Sequence, residues 1–171
     1  MEKIENPAFA IVGMGGFART HIRYMGEVVA LGIGRQVAQV AIKADQQQFA
    51  TEITALRQQG VEVFSSLREL LAQSRQQIDV VTVPTGIPLH RPMCQAALEA
   101  GCHVVLEKPV AGSVQDVDAL LAAATRAGKR VAVGFQGIYS HEVANAQGVD
   151  LRGALWSGAQ RAGLGVLATA A

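Results

Sequence analysis

Aromatic residues are scarce in this chain, at 5% of 171 residues, and its formal net charge is only +1 at pH 7. Its lysines and arginines form no basic run. A protein that tracks a nucleic-acid backbone needs a cationic stripe, commonly with aromatic platforms between the charges, so nucleic acid is excluded as a partner. Long apolar runs are missing too. A membrane span needs about 20 consecutive apolar residues, and no stretch here approaches that length. The opening "MEKIENPAFAIVG" puts acids where a secretory leader carries bases, and no long apolar core with a cleavage site follows. The expected location is cytoplasmic. Only two cysteines occur, Cys94 and Cys102, without metal-ligand spacing. They are expected to be buried, reduced thiols, and no metal site is expected.

What is present is a globular balance: half the residues are hydrophobic and 17% are charged, enough for one domain with a real core. Short apolar runs alternate with helical patterns. Strands are expected at Phe9–Val12, in "VAQVAIKAD" ending near Asp45, in "VEVF", in "IDVVTVPT", in "HVVLEKP" and in "RVAVGFQ". Between them, helical spacing joins Ala18, Ile22, Met25 and Val29, then Phe49, Ile53 and Leu56, then Leu67, Leu70 and Leu71. Further helices are expected from about Pro88 to Ala100 and from Asp116 to Ala127. Strands with continuous apolar runs, separated by helices, imply a parallel sheet covered on both faces, an α/β doubly wound fold. In such sheets ligands bind outside the carboxyl ends of the strands.

Two features lie at such ends. "AIVGMGGFARTH" carries Gly13, Gly15 and Ala18 as G-x-G-x-x-A between the first strand and first helix. Gly13 suits the tight turn, Gly15 lets backbone approach a pyrophosphate, and Ala18 lets helix and strand pack closely. Met14, Gly16 and Phe17 complete the loop, and its amides with the helix dipole favour phosphate. Asp45, at the expected end of the second strand, is the candidate for the adenosine ribose hydroxyls, or else an N-cap; Lys43 beside it could instead meet a 2′-phosphate. The cofactor is therefore NAD or NADP, with a lean to NAD. The second feature is "HVVLEKPVAG", where Glu107, Lys108 and Pro109 end an apolar strand.

With "VTVPTGIPLH" and "ALEAGCHVVLEKPVA" added to the phosphate loop, the chain resembles the Gfo/Idh/MocA family of NAD(P)-dependent oxidoreductases over about residues 8–139. The resemblance implies a Rossmann-like domain at 1–140, hydride transfer to or from a sugar, polyol or related hydroxyl or carbonyl compound, and possible homo-oligomers. It implies that Lys108 sits by the nicotinamide and relays a proton or stabilises an alkoxide. Glu107 would orient Lys108 or the nicotinamide amide, and the Lys108–Pro109 bond is often cis in the family. Thr85, Gly86 and His90 would line the ribose side, with a structural hydrogen bond as the alternative for His90. Gln136 would reach the nicotinamide. Arg19 and His21 are expected to be solvated. The usual Asn of the turn is absent at Pro84-Thr85-Gly86.

Residues 141–171 carry no family motif where the family's second α/β domain is expected, so that domain is read as missing. Synonymous codons chosen from Val143 onward and read one nucleotide later spell a family-like segment, so a frameshift near Glu142 is expected, with a divergent short tail as the alternative. A dinucleotide-binding module without turnover is the competing function. An S-adenosylmethionine methyltransferase is a third reading, against which the Glu-Lys-Pro turn argues.

Overall fold

The computed structural model describes residues 4–74 and 77–135. Six strands, β1 (Ala8–Val12), β2 (Arg35–Val40), β3 (Glu62–Phe64), β4 (Val80–Val83), β5 (His103–Leu106) and β6 (Val131–Val133), form one sheet in the order β3-β2-β1-β4-β5-β6. Every pairing is parallel. Six helices, α1 (Ala18–Ala30), α2 (Lys43–Gln48), α3 (Ala50–Gln58), α4 (Leu67–Gln73), α5 (Ile87–Glu99) and α6 (Val114–Ala127), make the crossovers. This is the expected doubly wound Rossmann fold. The strand order reverses between β1 and β4, and that switch point opens a crevice at the carboxyl ends of the strands.

The central strands are apolar on both faces because both faces are covered. All four β4 residues are buried, as are Ala10, Ile11 and Val12 of β1. Leu70, Leu98, Cys94 and Leu120 from the helices share one core with Ala10, Val12, Val81 and Val83. Ser66 caps α4 by accepting the Glu69 N–H at 3.1 Å, and Ser113 caps α6 by accepting the Asp116 N–H at 3.2 Å. That cap starts α6 at Val114, two residues before the expected Asp116. Gly128, at φ 61°, closes the helix in the left-handed conformation glycine tolerates.

The expected second strand is corrected at both ends. It begins at Arg35 and stops at Val40, short of Asp45. Its register against β1 shifts between Phe9 and Ala10, where Phe9 pairs with Gln36 and Ala10 with Ala38. Val37 is thus the extra residue of a β-bulge. Two helices then follow where one was expected, because Phe49 breaks the run at φ −115° and turns it into α3. Among the described residues, no helix is long and apolar enough to cross a membrane.

Candidate functional site

The phosphate loop lies where the pattern puts it. Gly13 has φ 94°, and its N–H donates to the Val40 carbonyl at 2.9 Å, tying the turn to β2. A Cβ on Gly13 would stand 3.6 Å from the Ala18 Cβ, so the two small residues are the contact between strand end and helix start. The Ala18 and Arg19 amides bond back to the carbonyls of Gly15 and Gly16. Among the described residues, the amides of Gly15, Gly16 and Phe17 have no acceptor. These are the orphan donors of a helix start, open to an anion. The side of Gly15 where a Cβ would stand faces Phe49, 3.7 Å away, and Arg19 lies over the Phe49 ring at 5.8 Å.

The position directly beyond β2 holds no acid. Ile42, 53% exposed, is the N-cap of α2, and Asp45 is half-buried in that helix's first turn. The expectation that Asp45 ends the strand is therefore corrected, as is its role as N-cap. Lys43 opens the same helix and is exposed.

The turns after β4 and β5 form the other wall. Glu107 is 9% exposed, Lys108 is exposed, and the Lys108–Pro109 bond is cis, as the resemblance implied. Glu107 does not stand free. Its Oε1 accepts from His21 Nε2 at 2.9 Å, with both side chains nearly buried. His21 is thus no solvated helix residue: it joins α1 to the Glu-Lys-Pro turn. A Cβ on Gly134 would lie 2.7 Å from the same Oε1, so the strand-end glycine of β6 makes room for the carboxylate. His90 is 1% exposed, with Nε2 2.9 Å from the Thr85 carbonyl and Nδ1 3.1 Å from the Pro109 carbonyl. The structural hydrogen bond weighed for His90 is present in the fold. It holds the Thr85-Gly86 turn against the Pro109 turn. Thr85 Oγ1 is buried without a partner among the described residues, as is Thr82 Oγ1 within β4.

Residues 8–135 match the family described as "Oxidoreductase family, NAD-binding Rossmann fold", GFO_IDH_MocA. The chain belongs to the Gfo/Idh/MocA family. It is 29% identical over 132 residues to the inositol 2-dehydrogenase/D-chiro-inositol 3-dehydrogenase of Halalkalibacterium halodurans, covering 77% of this chain and 36% of that protein. It is 30% identical over 131 residues to the inositol 2-dehydrogenase of Klebsiella pneumoniae, covering 75% and 36%. Among solved structures, the WlbA dehydrogenase of Chromobacterium violaceum, in complex with NADH and UDP-GlcNAcA, superposes with a TM-score of 0.70 at 25% identity, covering 85% of this chain and 40% of that one. The chain spans about a third of the length of the curated relatives it matches.

The residues fit the dinucleotide this family binds. Free loop amides at the start of α1 stand ready for a pyrophosphate. Gly13, Met14, Gly15, Gly16, Phe17 and Ala18 form one wall; Thr85, Gly86, Glu107, Lys108 and Pro109 lie across the switch point from it. Gln136, the tail and the proposed frame change near Glu142 lie outside the described residues. Sequence reasoning misjudged His21, which lies three residues past the G-x-G-x-x-A pattern and is given no role by it.

Proposed function

We propose that this chain is the dinucleotide-binding part of an NAD(P)-dependent dehydrogenase acting on a sugar, polyol or related hydroxyl or carbonyl compound. The observation that carries it is the placement of two unlike groups on one edge of the sheet. The free amides of the Gly13 loop follow β1, and exposed Lys108 follows β5 on a cis-proline turn. The cofactor, NAD or NADP, supplies hydride chemistry when bound. The loop holds its phosphates. Glu107, fixed by His21, orients the turn that carries Lys108. Lys108 Nζ donates or accepts the proton of the substrate oxygen, or stabilises its developing charge. The relatives named for inositol support the substrate class.

Because the chain spans about a third of those relatives' length, a binding module without turnover is the competing reading. NADH and NADPH fluorescence titrations, followed by assays on a panel of sugars and polyols, separate the two. Wild type should bind, and Gly15→Val should lose affinity at least tenfold, because a branched side chain built toward Phe49, 3.7 Å from where its Cβ would stand, crowds that ring and shifts the loop amides. Equal affinity in a folded Gly15→Val protein would sink the phosphate-loop assignment. Binding without turnover on any substrate would favour the module.

A further inference from the structure

The β-bulge in β2 raises a question: why disturb the strand that neighbours the phosphate loop? In regular strand geometry residues three apart point to opposite faces. Gln36 and Gln39 are three apart, yet Gln36 Nε2 donates to Gln39 Oε1 at 2.8 Å. The extra residue at Val37 shifts the alternation by one and brings both side chains to the same side. Gln39 is 0% exposed, on a strand whose other buried residues are Val37, Ala38 and Val40. A buried primary amide is costly unless its groups are bonded. Its oxygen takes the Gln36 amide, and its Nε2 donates to the Gly13 carbonyl.

Gly13 is thus held twice by the same strand, its N–H by the Val40 carbonyl and its C=O by the Gln39 side chain. The second hold acts beyond Gly13. In a planar trans peptide the C=O and the next residue's N–H point in opposite directions. Fixing the Gly13 carbonyl toward Gln39 therefore fixes the Met14 N–H away from it and sets the rotation of the peptide that leads into the loop's free amides.

We propose that Gln39 is a positioning residue for the cofactor, a buried amide that sets the phosphate loop through the Gly13 carbonyl and is itself oriented by Gln36 across the β-bulge. The proposal rests on the reading of the Gly13 loop as a dinucleotide site. Gln39 touches no cofactor. Its effect is to hold the loop ready, so that ligand binding does not have to order it.

The test measures NADH and ADP-ribose affinity, thermal stability without ligand, and the 15N–1H amide resonances of Met14 and Gly15. The variants are Gln39→Leu, Gln39→Glu and Gln36→Leu. Gln39→Glu keeps the shape but sets an acceptor against the Gly13 carbonyl. Affinity for both ligands should fall about tenfold in either Gln39 variant, the worth of one hydrogen bond at this site. Gln36→Leu leaves the Gln39 donor in place and should weaken binding by only about two- to threefold, with a shifted Met14 resonance. If the Gln39 variants fail to fold, Gln36→Leu alone decides: unchanged affinity and an unmoved Met14 resonance overturn the proposal. So does wild-type affinity in either folded Gln39 variant. If wild type binds neither NADH, NADPH nor ADP-ribose, the dinucleotide reading fails first and takes this proposal with it.

Discussion

Buried polar side chains tie the turns of this site to the rest of the fold. Glu107 is the clearest case. A carboxylate at 9% exposure needs a partner, and His21 supplies it from another element 86 residues away in sequence. Gly134 supplies the space, since a Cβ there would lie 2.7 Å from Glu107 Oε1 and 3.2 Å from its Cδ. Gly134→Ala should push the carboxylate off His21 and cost about 1–3 kcal/mol, as overpacking does. Denaturant unfolding of Gly134→Ala, of His21→Gln and of the double variant measures it. If the contact is what the methyl breaks, the two changes should be clearly less than additive. The thiols behave differently. Cys94 is fully buried, and burial pushes its thiol up to about 12; burial raises Cys102 as well. Neither should react with a thiol reagent at pH 8 in the native state, and both should react on unfolding. Rapid native labelling of Cys94 would show that α5 does not pack as described.

At the scale of elements, His103 gives a pH dependence. Its Nδ1 accepts the Arg130 N–H at 3.1 Å, joining the starts of β5 and β6, and an accepting nitrogen must be unprotonated. Desolvation lowers its pKa below 6.5, with Lys129 and Arg130 adding to the effect and Asp79 opposing it. A histidine depressed in the fold contributes stability that is fully present above its unfolded pKa and lost as pH falls through its folded one. Melting temperature should therefore drop from pH 7 toward pH 5, and His103→Gln should flatten that slope; an equal slope in the variant removes His103 as the cause. Most elements were legible because their periodicity is local: the apolar runs of β1, β4 and β5 and the Ser66 and Ser113 caps are written in adjacent residues. β2 was not, because its end is set by tertiary pairing and its bulge by register, and "VAIKAD" looks as extended as what precedes it. That misreading placed Asp45 at a strand end it does not occupy. If its carboxylate nonetheless reaches the ribose, Asp45→Ala should narrow any preference for NAD over NADP; an unchanged ratio of affinities leaves Ile42 and Lys43 to define that end of the site.

For the whole molecule, the strand order is what brings Lys108 to the sheet edge that the Gly13 loop also occupies. A Lys-Pro turn is ordinary in isolation. Here β4 and β5 follow the reversal of winding next to β1, so the turn after β5 and the Gly13 loop share the crevice edge. That convergence was inferable from the β-α alternation and the G-x-G-x-x-A fingerprint, but the His21–Glu107 tie that steadies the turn required the fold. The division of labour has a kinetic consequence. Under the proposed function the loop would carry ground-state affinity for the cofactor, whereas a proton held by Lys108 would move only as hydride moves. Replacing residues 8–135 into the matching domain of the Klebsiella pneumoniae inositol 2-dehydrogenase supplies the remaining length of a relative 30% identical to this chain. In that chimera, and in this chain if it turns over, Lys108→Met should lower kcat by about 10²–10⁴-fold while NADH affinity stays within about threefold. Gly15→Val should do the reverse, weakening NADH binding first. Undiminished kcat in an active Lys108→Met chimera would remove the lysine from the chemistry and leave Glu107-Lys108-Pro109 as a structural turn at a cofactor's edge.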